Sequence, residues 1–311
     1  MNEKFAILTN LLGRSFKSSG EHLFTCPYCN HHKHKFSINI EKNMYKCWIC
    51  DQRGKNLYRI IRRFGTFSQQ EKWKELSGDK QDLGEFDNLF KEEIFEVAKE
   101  EIIELPMGFQ TLTRLSGSKS QLRAFKYLTS RGLQKKDILK WKIGYTTEYP
   151  YEDRIIIPSF NDNGELNYFI ARSFSDNPYR YKNPKVSRNI IFNELYLDFE
   201  RELVLVEGVF DAIKAENAVP ILGSTIRETS KLFRKIVKYD TPVLLALDSD
   251  AYKKSQAIKK LLLKYGIEVR QIQYRDDRDL GEMTHSEVER LSLEAQTITP
   301  QDSLLEAISA L

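Results

Sequence analysis

The sequence predicts a multidomain protein of α+β and α/β class: a small zinc ribbon, then a mixed α+β basic subdomain, then a sheet built from β/α repeats. Three observations carry this. The four cysteines fall in two CxxC pairs, Cys26-Pro27-Tyr28-Cys29 and Cys47-Trp48-Ile49-Cys50, seventeen residues apart. Residues 201–274 alternate between apolar strand-sized runs and helical patterns. Formal charge changes sign between the first segment and the next.

Two residues between cysteines let both thiolates of a knuckle reach one tetrahedral ion, and the stretch between the pairs is long enough for a hairpin joining the knuckles. Strands over FSINIE and MYKCW, a turn at Lys42-Asn43 and a short helix over NLYRIIRRF complete a zinc-ribbon, DNA-binding domain over residues 1–65. Cys26, Cys29, Cys47 and Cys50 are the expected ligands of one structural zinc. They already close a tetrahedron, so His31, His32 and His34 are not needed. Residues 1–65 hold twelve Lys or Arg against four acids, a balance that favours nucleic acid through counterion release. Lys33, Lys35, Lys46, Arg53 and Lys55 are candidates for holding phosphates, and Phe36, Tyr45 and Trp48 for stacking on unpaired bases. The alternative for each aromatic is the ribbon's own small core.

Residues 66–105 hold five Lys or Arg against twelve acids and read as an acidic linker, with a helix over LFKEEIFEVAKE. Residues 106–200 read as a mixed subdomain. It opens with a helix pair, SQLRAFKYLTSRG and QKKDILKWK, and continues with strands RIIIPSF and ELNYFIARS joined at Asn163-Gly164. Residues 201–284 alternate as strand LVLVEG, helix VFDAIKAEN, strand VPILGS, helix TSKLFRKIVKY, strand PVLLALDSD, helix SQAIKKLLLKYG and strand IEVRQIQY, which predicts a mostly parallel sheet. Residues 285–311 read as a short helical tail, with Thr299, Pro300 and Asp302 capping LLEAISAL.

In parallel α/β sheets the site lies beyond the carboxyl ends of the strands. Glu207 ends the first strand there, Asp248 and Asp250 end the third, and Asp211 follows in the first helical turn. Converging carboxylates repel and need cations. A purely oxygen donor set favours magnesium or manganese, the ions of phosphoryl transfer. Asp276, Asp277 and Asp279 stand ready to close the cluster. No GxGxxG follows the first strand and no GxxxxGK[ST] occurs, which excludes a dinucleotide fold and a P-loop motor. A chain of 311 residues, 41% hydrophobic and 30% charged, buries a sizeable core. Its apolar runs are strand-sized, its first residues are polar, and its cysteines are spent on metal; these predict a cytoplasmic protein, in host cytoplasm if the source is viral.

With these residues in view, the chain resembles the bacterial and phage DnaG-type DNA primases over most of residues 5–285. CPYCNHHKHKFSINIEKNMYKCWICDQRGK is similar to the family's zinc motif, with Cys29 where the family commonly has histidine. AFKYLTSRGLQKKDILKWKIGYT resembles the entry to the family's RNA polymerase core, and RIIIPSFNDNGELNYFIARS its basic hairpin, followed by RYKNP. By that resemblance Arg154, Arg172, Arg180, Lys182, Lys185 and Arg188 are template or nucleotide contacts, and Lys33, Lys35, Tyr45, Trp48 and Arg53 read single-stranded DNA on the ribbon. The β/α segment resembles a Toprim domain, whose EGxxD and DxD acids are Glu207, Asp248 and Asp250, with Asp211, Asp277 and Asp279 as further magnesium ligands. The resemblance implies metal-dependent synthesis of short RNA primers from ribonucleoside triphosphates on single-stranded DNA. It also implies a separate replicative helicase as partner, although few residues remain here for the family's C-terminal helicase-binding domain. The rival readings are a Toprim nuclease, a type IA topoisomerase, for which the chain is too short, and a non-enzymatic zinc and Toprim recombination mediator.

Overall fold

The computed structural model describes residues 3–18, 21–77, 101–113, 117–223, 225–248, 251–274, 278–299 and 301–302. The chain divides into two compact units, Met1–Lys99 with Val237–Tyr239, and Glu100–Ile236 with Asp240–Leu311.

In the first unit, α1 (Glu3–Leu12) precedes strands β1 (Phe16–Ser18), β2 (Glu21–Phe24), β3 (Phe36–Asn39), β4 (Met44–Cys47) and β5 (Arg53–Gly54), which pair in that order as one antiparallel sheet. The expected hairpin is present: Phe36 faces Cys47 and Ile38 faces Tyr45, with Asn43 at φ 53° in the turn. The Asn43 side chain does a second job by accepting from Leu57 N–H at 3.0 Å, which ties the turn to the start of α2 (Tyr58–Phe64). Gly54 lies flat against Tyr45, where a Cβ would come within 2.7 Å of the ring. Residues Phe67–Ser77, placed in the acidic linker by their sequence, instead form α3. Trp73 explains this: on a mostly polar helix it is buried with Ile7, Leu8, Phe24, Phe36, Ile60 and Ile61, with Leu76 packed beside them, enough area to dock the helix despite its polarity.

In the second unit, strands β6 (Gln110–Thr111), β7 (Gly144–Thr146), β8 (Arg154–Phe160) and β9 (Leu166–Ser173) form a four-stranded antiparallel sheet, with α4 (Lys119–Ser130) and α5 (Lys135–Lys140) between β6 and β7. Ser118 caps α4 by accepting from Gln121 N–H at 3.2 Å. The β8–β9 hairpin turns at Asn163-Gly164 as expected, but only Gly164 is left-handed, at φ 80°. The turn is organised by the Asn161 side chain, which accepts from the N–H groups of Asn163 and Glu165.

The second sheet contains β10 (Leu203–Val206), β11 (Ala218–Pro220), β12 (Val243–Ala246), β13 (Val269–Gln271) and β14 (Gln296–Ile298), in the order β11-β10-β12-β13-β14. All pairs are parallel except β13–β14. Its helices are α6 (Val209–Lys214), α7 (Lys231–Tyr239), α8 (Tyr252–Lys264) and α9 (His285–Glu294). Because β11 lies on one side of β10 and β12 on the other, the order reverses between β10 and β12, the crevice where α/β sheets bind ligands. β14 corrects the expectation of an all-helical tail. Arg270 donates to the carbonyls of Ser292, Leu293 and Ala295, ending α9 and returning the chain beside β13, whose outer edge would otherwise lack a partner. The expected helices over LFKEEIFEVAKE and LLEAISAL lie outside the described residues.

Candidate metal centres and acid site

The four cysteine sulfurs lie within 4.8 Å of one another. Cys26 Sγ stands 3.9 Å from Cys50 Sγ, and Cys29 Sγ 3.8 Å from Cys47 Sγ. A tetrahedral zinc with Zn–S of about 2.3 Å puts its sulfurs ~3.8 Å apart, so the donor set fits that ion. The knuckles are shaped for it: the N–H groups of Ile49 and Cys50 point at Cys47 Sγ, at 3.4 and 3.5 Å. Asn30 and Asp51, residue types that tolerate left-handed backbone, follow the knuckles at φ 49° and 55°. The histidines stay outside the ligand set: His31 accepts from Lys33 N–H and stacks on His32, while His34 packs against Phe16. Among the described residues no other group of three or more His, Cys, Asp or Glu draws its ligand atoms together.

Of the side chains expected to read DNA on the ribbon, Lys33 and Arg53 are exposed, whereas Lys35, Tyr45 and Trp48 are buried. Tyr45 is a core residue, packed on Phe36 and Tyr28. The small-core alternative therefore describes Tyr45 and also Phe36.

In the second unit, Glu207 follows β10 and Asp248 follows β12, at the ends of adjacent strands on either side of the topological reversal. Asp211 Oδ2 accepts from Gly208 N–H at 2.8 Å, and its Oδ1 lies where a Cβ on Gly281 would approach to 2.6 Å. Burial pushes the Asp211 carboxyl above its usual range and the Asp279 charge adds to this, while the Gly208 and Gly281 N–H groups and Arg131 oppose it. Asp211 is thus largely spent on holding two glycine loops together. Asp250, Asp276 and Asp277 lie outside the described residues.

Tyr274, which sequence reasoning missed, feels several of these acids. Among the described residues its buried hydroxyl has no hydrogen-bond partner. Burial, followed by the charges of Asp248, Asp211 and Asp279, pushes its ionisation well above the ordinary range. The candidate acids are oxygen donors alone, a set that fits magnesium or manganese. Lys254 was also missed: its ammonium pairs with Glu207 Oε1 at 2.5 Å. Nothing in its sequence position, among other lysines of α8, singled it out.

The basic hairpin separates into buried and exposed charges. Arg154 is only 4% exposed and donates to the carbonyls of Tyr179 and Arg180 at 3.0 and 3.2 Å; burial lowers its ionisation. Arg172, half-buried, donates to the hydroxyls of Tyr127 and Tyr181 and faces the rings of Tyr181 and Phe210 at 4.9 and 5.4 Å. Arg131 lies 4.7 Å from the Phe210 ring. Phe210, inside the EGVFD stretch, therefore joins the acid site to the hairpin by cation–π contacts. Arg180, Lys182, Lys185 and Arg188 are exposed.

No protein-family model matches the chain. It is 24% identical over 310 residues to a DNA primase of Clostridium acetobutylicum, covering 83% of this chain and 50% of that protein. It is 21% identical over 287 residues to a DNA primase of Helicobacter pylori, covering 79% and 51%. Among solved structures, the zinc-binding and RNA polymerase domains of the Aquifex aeolicus primase are 18% identical, with a TM-score of 0.49 over 96% of this chain and 84% of that one. The chain spans about half the length of the curated relatives it matches. Over 79–83% of its residues, then, this chain is similar to proteins named DNA primase.

Proposed function

We propose that this chain synthesises short RNA primers on single-stranded DNA, joining ribonucleoside triphosphates with release of pyrophosphate. The observation that carries this reading is the pair of carboxylates, Glu207 and Asp248, ending adjacent strands at the reversal of a parallel sheet in a chain related to DNA primases. Glu207, Asp248 and Asp250, with Asp277 or Asp279, are the residues that would hold magnesium or manganese. The bound metal supplies charge neutralisation and alignment of the triphosphate. Asp211 shapes the loop after β10 through Gly208. Arg172, Arg180, Lys182, Lys185 and Arg188 hold template or nucleotide phosphates, with Arg172 fixed in place by two tyrosine hydroxyls. Such chemistry depends on positioning and electrostatics and needs no protein nucleophile.

The ribbon, closed by one zinc, contributes Lys33 and Arg53 to contact with single-stranded DNA. A replicative helicase is the further partner this role requires. No described helix is long and apolar enough to cross a membrane, and we place the activity in the cytoplasm. The test supplies single-stranded templates, ribonucleotides, magnesium and zinc, and resolves the products on gels. Short RNAs that disappear with Glu207→Gln are expected. Absence of RNA from the wild type on varied templates, or full synthesis by Glu207→Gln, overturns the reading; degradation of the DNA without ribonucleotides points to a nuclease instead.

A further inference from the structure

The carboxylate on which the proposed chemistry depends already has a cation beside it. Lys254, in the first turn of α8, reaches across to Glu207 and pairs with Oε1 at 2.5 Å. The two side chains are 22% and 28% exposed, so the pair is partly shielded from water and holds better than a fully exposed one. The surrounding charge explains why a lysine is useful there. The charges of Asp248, Asp211 and Asp279 all bear on Tyr274, and Glu207 ends the strand adjacent to the one that Asp248 follows. A strand-end glutamate in such company repels its neighbours unless a positive charge offsets it.

Lys254 already holds Oε1 of the Glu207 carboxylate, so a divalent cation drawn to that carboxylate, with a magnesium–oxygen bond of about 2.0–2.1 Å, meets an ammonium beside it in a partly shielded site where their repulsion is felt. We propose that Lys254 is a built-in counter-ion of Glu207 that competes with a divalent cation for its carboxylate. This rests on the reading of Glu207 as a metal ligand. Lys254 offsets the charge of Glu207, and it weakens metal affinity relative to what that carboxylate alone would give. Once displaced, its ammonium remains beside the metal and favours an anionic ligand there, of the polyphosphate class.

Manganese alone serves as the probe. The zinc-loaded wild-type protein is treated with an amine-acylating reagent with and without manganese, and peptides are read by mass spectrometry. Labelling of Lys254 is expected to rise severalfold with manganese, while that of the exposed Lys253 and Lys260 stays constant. Glu207→Gln should label strongly at Lys254 without metal. In a parallel spin-resonance titration, Lys254→Met should bind manganese about three- to fivefold more tightly, the size of one partly exposed ion pair. If manganese binds in a Glu207-dependent manner but Lys254 labelling does not change, or if Lys254→Met binds more weakly, the counter-ion role is overturned and the metal site stands. If manganese binding is undetectable, or is the same in Glu207→Gln, the metal reading of the site fails and the counter-ion role with it.

Discussion

At the scale of single residues, burial separates charges that look equivalent in the sequence. Arg154 opens the basic hairpin and Arg180 the RYKNP stretch after it, but Arg154 is buried and spends its guanidinium on the carbonyls of Tyr179 and Arg180, while Arg180 faces solvent. Arg154 therefore acts through the segment it pins. Arg154→Ala leaves two carbonyls short of a donor and should destabilise the protein by roughly 1–3 kcal/mol, read as a lower midpoint in urea. Arg154→Lys should recover only part of this, since an ammonium cannot reproduce the planar fork. Arg180→Ala should leave the midpoint unchanged and weaken binding of single-stranded DNA while flattening its salt dependence. An Arg154→Ala protein of full stability that has lost only DNA affinity would show direct contact instead. Sequence alone could not have divided the two arginines, because Arg154 is buried by how the later Tyr179–Arg180 segment folds back over it.

At the scale of elements, what the sequence conveys is what neighbouring residues decide. The capping box at α9 is one case: Thr284 N–H donates to Glu287 Oε2 at 2.8 Å, and Glu287 N–H donates back to Thr284 Oγ1 at 3.3 Å. The Thr284 backbone, then its hydroxyl, then Arg278 hold the Glu287 carboxyl down from 4.5 to about 2. A carboxylate with a depressed folded pKa stabilises the helix fully above its unfolded value and loses that contribution as pH falls through the folded one. The α9 cap should thus weaken between about pH 4.5 and 2. A carboxyl carbon titration by NMR should place the midpoint near 2 in the wild type and closer to 4.5 in Thr284→Ala; an ordinary midpoint in both removes the box. Hairpin β8–β9 was equally readable, from β-branched runs around Asn163-Gly164. By contrast, α3 and β14 were not. Trp73 gains its burial from residues far back in the chain, and β14 exists because Arg270 ends α9 and β13 offers an edge. Both are tertiary decisions that override local pattern.

At the scale of the whole molecule, the placement of Glu207 and Asp248 after adjacent strands was readable from residues some forty positions apart, because strand ends in a parallel sheet lie side by side by topology. Lys254 and Tyr274 were not, since each matters only through where its side chain ends. The ribbon was readable for a different reason: CxxC spacing encodes its ligand geometry within a few residues. This difference has a thermodynamic consequence. The first unit joins its strands through the four sulfurs, and its apolar core is small, so metal binding and folding are linked there. The second unit draws on a far larger apolar cluster that runs through both of its sheets and includes Ile155, Ile170, Val206, Leu244 and Val288. Chelation of zinc should therefore strip amide-exchange protection from β2, β3 and β4 while β8, β9, β10 and β12 keep theirs, and Cys26→Ser should reproduce that pattern with less than stoichiometric zinc by metal analysis. Protection lost evenly across the chain would mean that the two units unfold as one. Protection retained in β3 and β4 after complete zinc removal would mean that the apolar core alone, with Phe36, Tyr45 and Trp73, is sufficient to fold the ribbon.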